Sequence, residues 1–224
     1  MEQTNYSERG VRRVLEQLGE RRFDRIFFVA CGGSSALMYP SASLVDTRSR
    51  TLAAEYLNSN EFIYRAPARL DERAVVILCS QEGKTPETVE AARFARAKGA
   101  AVLTSAMREG TPLEAAGEGF VLYGHYETCP MKDTSYGVMY MLTAGLIDRQ
   151  EGAGLLEGMV RALEALDPVV QRAKQDWQPR AMEFAQSCRD ARVLYSLASG
   201  CDYSQAYVLC NCYMMEMQWI NAIP

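Results

Sequence analysis

The sequence predicts an α/β protein, a three-layer αβα sandwich around a five-stranded parallel sheet. Three observations carry this. Short continuous apolar runs, Ile26-Phe27-Phe28-Val29-Ala30-Cys31 and Ala74-Val75-Val76-Ile77-Leu78-Cys79, read as strands buried on both faces, because helices cover both sides of a parallel sheet. Segments of helical spacing separate these runs, and strand–helix alternation is the pattern of parallel sheets with crossover helices. A loop containing Gly and Ser follows each of the two runs, at 31–35 and 80–85.

Taken in order, residues 7–21 read as an amphipathic helix, with Val11, Val14, Leu15 and Leu18 at helical spacing. The first strand is 26–31, and a helical pattern then runs to about Val45. Residues 52–57 form a second strand and 74–79 a third. For the next helix Thr85 is placed to cap, Pro86 fits the first helical position and Gly99 ends it. Strands are expected at 100–106 and 119–123, and an apolar helix at 134–148. A charge-rich stretch from 151 to 187 reads as a helical connector broken by Pro168 and Pro179. Beyond it, 193–198 reads as a strand, Ser199-Gly200 as a turn and 204–222 as a helix. This strand–turn–helix echoes the one at 26–45, so a second copy of the fold begins there. The expected division is an N-terminal helix at 1–22, a first domain at 23–150, a connector at 151–190 and an incomplete second domain at 191–224. A lone βα unit buries only one face, so this reading expects a longer chain or a partner to complete it.

Composition narrows the function classes. At 224 residues the chain suits one domain and part of another, at ~150 residues each. Its residues are 48% hydrophobic and 23% charged, which supports a packed core. A net charge of −4 argues against a nucleic-acid footprint, which needs clustered Lys and Arg. No apolar run approaches the ~20 residues of a membrane-spanning helix. The polar N-terminus has no apolar stretch of the kind a secretion signal needs, and the expected compartment is the cytoplasm. The seven cysteines contain no C-x-x-C pair and are odd in number, so neither a zinc site nor a disulfide framework is expected. His125 is the single histidine. No metal or other cofactor is expected.

The two loops carry the chemistry. They are Cys31-Gly32-Gly33-Ser34-Ser35 and Ser80-Gln81-Glu82-Gly83-Lys84-Thr85. In open α/β sheets, ligands bind beyond the carboxyl ends of the strands. Glycine lets backbone approach an anion, while the free N–H groups and dipole of a helix N-terminus favour negative charge. The hydroxyls of Ser80 and Thr85 and the amide of Gln81 add neutral donors. That describes a phosphate site without a metal. The same residues also serve as ordinary turn and cap residues, and the pattern alone leaves both readings open. Neither loop matches the nucleotide-binding patterns G-x-x-x-x-G-K-[ST] or G-x-G-x-x-G.

The second loop, continued through Pro86-Glu87-Thr88, resembles the S-x-S-G-x-T-x-[DE]-T loop of the SIS (sugar isomerase) family. Cys31-Gly32-Gly33-Ser34 resembles that family's C-G-[TS]-S turn. The resemblance covers roughly residues 23–224 and lies nearest the fructosamine 6-phosphate deglycases. It implies a flavodoxin-like sheet of order 2-1-3-4-5. It implies that Ser80, Gln81 and Thr85 hold the phosphate of a sugar phosphate, and that Gly32, Gly33 and Ser34 contact the sugar. The sequence departs from the commonest pattern at Gly33 and at Glu82. Glu82 sets a negative charge beside the phosphate unless it turns away or meets Lys84. By family position Lys132 or Asp133, in the loop before the 134–148 helix, reaches the sugar, the alternative being a solvated surface loop.

In 203–224 Glu216 is the one ionised side chain, with Leu209, Cys212, Tyr213, Trp219 and Ile220 around it at helical spacing. A helix apolar on all sides is usually buried. A carboxylate there pairs, stays protonated or works chemically, unless it sits at an edge and reaches water. The segment 213–219 resembles the second-repeat helix of phosphosugar isomerases and deglycases, which implies that Glu216 is the proton-transfer base. The family's histidine, in an E-x-x-H-G-P-like segment, has no match before Pro224, and His125 does not correspond to it. The implied activity is a fructosamine 6-phosphate deglycase that gives glucose 6-phosphate and an amine through an enaminol. The alternatives are an aldose–ketose phosphosugar isomerase and a non-catalytic sugar-phosphate-binding module. The resemblance further implies a homodimer or higher homo-oligomer.

Overall fold

Residues 6–224 are described by a computed structural model. The apolar runs become strands: β1 (Arg25–Ala30), β2 (Ala53–Asn58), β3 (Ala74–Cys79), β4 (Ala101–Ala106) and β5 (Gly119–Leu122). They form one parallel sheet of order β2-β1-β3-β4-β5, with Ile26 level with Ala54 on one side and Val75 on the other. Every residue of β1, β3 and β4 is buried, whereas the edge strands β2 and β5 are only partly so. Runs that are apolar throughout thus mark the central strands, as a sheet covered on both faces requires.

The two-residue period of a strand sorts side chains between two cores. Ile26, Phe28, Val75, Ile77 and Leu103 join one, with Val11, Val14, Leu142 and Ile147. Phe27, Val29, Val76, Leu78 and Val102 join the other, with Phe62, Ala92 and Leu113. The helices that cover these faces are α1 (Tyr6–Gln17), α2 (Gly32–Ala36), α3 (Tyr39–Arg48), α4 (Ser59–Arg65), α5 (Pro86–Ala97), α6 (Pro112–Ala116) and α7 (Ser135–Glu151). The single helix expected to run from the first glycine turn to Val45 is two, α2 and α3, which meet at Leu37 and Met38.

The connector departs from expectation. α8 (Leu155–Ser187) runs unbroken through Pro168 and Pro179. The Asp148 carboxylate accepts from the Leu155 and Leu156 N–H groups at 2.7 and 2.6 Å and caps its start. Leu156, Val160 and Leu163 are buried, but from Glu164 onward α8 is almost wholly exposed. A proline removes the bond to the carbonyl four residues back. Here those carbonyls belong to exposed Glu164 and Gln175, where water can replace the lost bond.

The last segment differs most. The strand expected at 193–198 is two residues long, β6 (Leu194–Tyr195). It lies parallel to β7 (Ala222–Ile223). The helix expected at 204–222 begins as α9 (Tyr203–Tyr207) and widens into a π-helix, Val208–Met217. It stops there, and Trp219 turns back with φ 60°. It is not buried all round. Ser204, Ala206 and Cys210 face the body of the molecule, while Leu209, Tyr213, Met217 and Trp219 are exposed. An all-apolar pattern carries no information about which face is covered, and among the described residues nothing covers the outer one.

Candidate functional site

β3 ends buried at Cys79, and the chain turns through 80–85 into α5. Ser80 is buried, with its N–H on the Ser105 carbonyl at 3.2 Å. Thr85 occupies the N-cap position, but its side chain makes no capping bond. Its hydroxyl instead pairs with that of Ser80 at 2.8 Å. Gly83 adopts φ +64°, where L side chains are strained, and a Cβ there would collide with Thr111. The Gly83 N–H bonds Ser80 O. The N–H groups of Gln81, Glu82, Lys84 and Thr85 find no acceptor among the described residues. The loop therefore offers a hydroxyl pair and several backbone donors at a helix start, a donor set suited to an anion. Glu82 does not meet Lys84. It pairs with Arg108, Nε to Oε2 at 2.8 Å.

A cleft of about 340 Å³ opens beside this loop, over the carboxyl ends of β1, β3, β4 and β5. Gly33 and Ser34 line it from the first loop, Gln81 from the second and Met107 from the turn after β4. Tyr123 to Tyr126 form another wall, and Val208, Cys212 and Tyr213 close it from the π-helix. A Cβ on Gly33 would stand 3.8 Å from the Cys212 sulfur, so the two glycine-loop ends and the π-helix form one site. Ser80 and Thr85 are not among the residues that line the cleft, and neither is Gly32, which is exposed with φ +53°. Glu216 is exposed, one turn beyond Cys212. The Cys212 thiol is pushed up by burial and then by the nearby charge of Glu216, while Glu216 itself is not among the residues that line the cleft.

Lys132 and Asp133 are not on the cleft wall, nor do they lie on a solvated loop. Both are buried. Lys132 Nζ donates to Glu164 at 2.5 Å and lies 3.6 Å from Glu8. Burial alone would lower its pKa, but these carboxylates outweigh it and the net shift is upward. The Asp133 carboxylate accepts from the Ser7 N–H at 3.1 Å, and Asp167 accepts from the Met131 N–H at 2.8 Å. The loop before α7 is thereby tied to α1 and α8.

Sequence reasoning set His125 aside, yet it lines the cleft, stacked at 4.6 Å on Tyr126 with its Nδ1 3.8 Å from Glu127. Tyr123, Tyr126, Tyr136 and Tyr213 were missed as well. The position of 123–126 directly after a strand was the available signal. Tyr123 is buried, accepts from the Cys79 thiol at 3.7 Å and keeps its proton through desolvation. All seven cysteines are unpaired, and no metal-ligating cluster occurs among the described residues.

The SIS domain family matches residues 21–118. Fructosamine deglycase FrlB of Bacillus subtilis is 37% identical over 96% of this chain and 65% of its own length. Fructoselysine 6-phosphate deglycase of Escherichia coli K12 is 25% identical over 94% of this chain and 61% of its own. The chain thus spans a little under two thirds of the length of these curated relatives. A crystal structure from Salmonella typhimurium LT2, of a protein provisionally named a phosphosugar isomerase, superposes with TM-score 0.91. It is 32% identical and covers 100% of this chain and 68% of its own.

Proposed function

The chain belongs to the SIS domain family, and from that premise we propose that it is the sugar-phosphate-binding part of a fructosamine 6-phosphate deglycase. The observation that carries this is the β3–α5 loop. Its Ser80–Thr85 hydroxyl pair and free N–H groups are a seat for a phosphate dianion at a helix N-terminus. Gln81, Gly33 and Ser34, which line the cleft, and Gly32 beside them contact the substrate. Lys132 and Asp133 act one layer back, holding the loop that carries His125. The deglycase names of two relatives support the choice of reaction.

In the proposed reaction Glu216 takes a proton from C1 of the substrate, next to the C2 carbonyl, and an enaminol forms. The proton returns to C2, which leaves an imine between C1 and nitrogen. Water adds to C1, the C1–N bond breaks, and glucose 6-phosphate and a free amine depart. One carboxylate can move a proton in both directions. No metal takes part in this scheme. The Salmonella structure's name favours a second reading, aldose–ketose isomerisation with the same base.

The experiment is to incubate the protein with fructoselysine 6-phosphate and measure lysine and glucose 6-phosphate together. Equal release of both supports the deglycase. Interconversion of a ketose and an aldose phosphate without amine release supports the isomerase. We further propose that 23–150 is one complete SIS unit, that 191–224 belongs to a second, and that the protein works in the cytoplasm, where unpaired cysteines persist. Among the described residues no helix is long and apolar enough to cross a membrane.

A further inference from the structure

The proposed phosphate loop contains a carboxylate. Glu82 is exposed, two residues from Ser80 and three from Thr85. A phosphate seated on those hydroxyls shares its loop with this charge, and like charges within a few ångströms repel strongly even at an effective dielectric of about 20. Lys84, the nearest cation in the sequence, lies along a separate surface groove with Pro86 and Glu90. The partner is Arg108, 2.8 Å from Glu82.

Backbone bonds hold Arg108 there. The Met107 N–H donates to Gln81 O and the Leu113 N–H to Gly83 O, each at 3.0 Å. The 107–113 turn is therefore strapped to the loop on both sides of Glu82. Thr111 of the same turn fills the space a side chain at Gly83 would need. Both ionic side chains are at least half exposed, 66% for Arg108 and 50% for Glu82, and such a pair contributes little to folding stability. Its consequence falls on whatever anion occupies the loop.

We propose that Arg108 is a positioning residue for the phosphate site: it neutralises Glu82 and draws that carboxylate aside, so that the loop accepts a dianion. This rests on the reading of 80–85 as the phosphate seat. Arginine suits the task because it stays charged across the working pH range and its fork matches a carboxylate.

The test is calorimetric titration of the full chain with glucose 6-phosphate. Arg108→Ala should weaken binding on the order of ten-fold. The double variant Arg108→Ala with Glu82→Gln should return to within about three-fold of the parent, and added salt should shrink the Arg108→Ala deficit. Glu82→Gln alone should bind no more weakly than the parent, a comparison that holds even if Arg108→Ala fails to fold. Equal binding by parent and Arg108→Ala would overturn the proposal, as would a double variant with no recovery or a ten-fold loss in Glu82→Gln. A parent that does not bind glucose 6-phosphate at all would count against the phosphate seat itself.

Discussion

Glu216 and Cys79 show how placement decides what a side chain can do. Glu216 is exposed on the π-helix, and in the proposed site it meets a substrate whose phosphate the 80–85 loop holds. Glu216→Gln keeps the size and removes the base, so turnover of a fructosamine 6-phosphate should fall by roughly 10²–10⁴. Affinity for glucose 6-phosphate should persist, because in the proposed site it rests on Ser80 and Thr85. A Gln variant with full turnover would remove Glu216 from the mechanism. Cys79 is the opposite case. Burial pushes its thiol up to about 11, so almost none is thiolate near neutral pH, and the thiolate is the nucleophile. Alkylation at mildly alkaline pH, read by mass spectrometry, should label exposed Cys201 and spare Cys79 until the protein unfolds.

At the scale of elements, the central strands were legible because burial on both faces leaves an unmistakable apolar run. β3 and the start of α5 fall where the sequence puts them. That the Thr85 hydroxyl faces Ser80 instead of capping α5 was not legible, since a hydroxyl that caps and one that faces a neighbouring hydroxyl look alike in sequence. Lys132 illustrates a different limit. Its partners Glu8 and Glu164 lie 124 and 32 residues away, and no local pattern joins them. The course of α8 through two prolines depends on solvent access to the carbonyls they orphan. Gly83 links loop geometry to stability, because it combines positive φ with contact against Thr111. Gly83→Ala should destabilise the protein by roughly 2–5 kcal/mol through left-handed strain and overpacking. Urea denaturation should show a lower midpoint at unchanged slope, and an unshifted midpoint would contradict this account of the turn.

At the scale of the whole molecule, a covered five-stranded unit carries two apolar surfaces that nothing among the described residues covers. One is the outer face of 203–223, with Tyr213, Met217 and Trp219, and the other is the far half of α8, with Trp177, Met182 and Phe184. Apolar surface on that scale marks interaction sites, and we expect self-association. Light scattering at micromolar concentration should give a mass of at least twice the 25.0 kDa of one chain, and a clean monomer would count against it. The sequence pattern reads 191–224 as the start of a second strand–turn–helix. The two-residue length of β6 and the π-helical widening could not be read there, because both depend on what lies against them.

The central claim is that the loop from Ser80 to Thr85 seats the phosphate of a sugar phosphate. Calorimetric titration with glucose 6-phosphate, run in parallel on the parent and on Ser80→Ala with Thr85→Ala, tests it most directly. The account predicts saturable binding by the parent, with glucose bound far more weakly, and a loss of at least about ten-fold in the double variant, since hydrogen bonds to a charged group are each worth roughly 1.5–3 kcal/mol. Equal affinity in parent and double variant would contradict it.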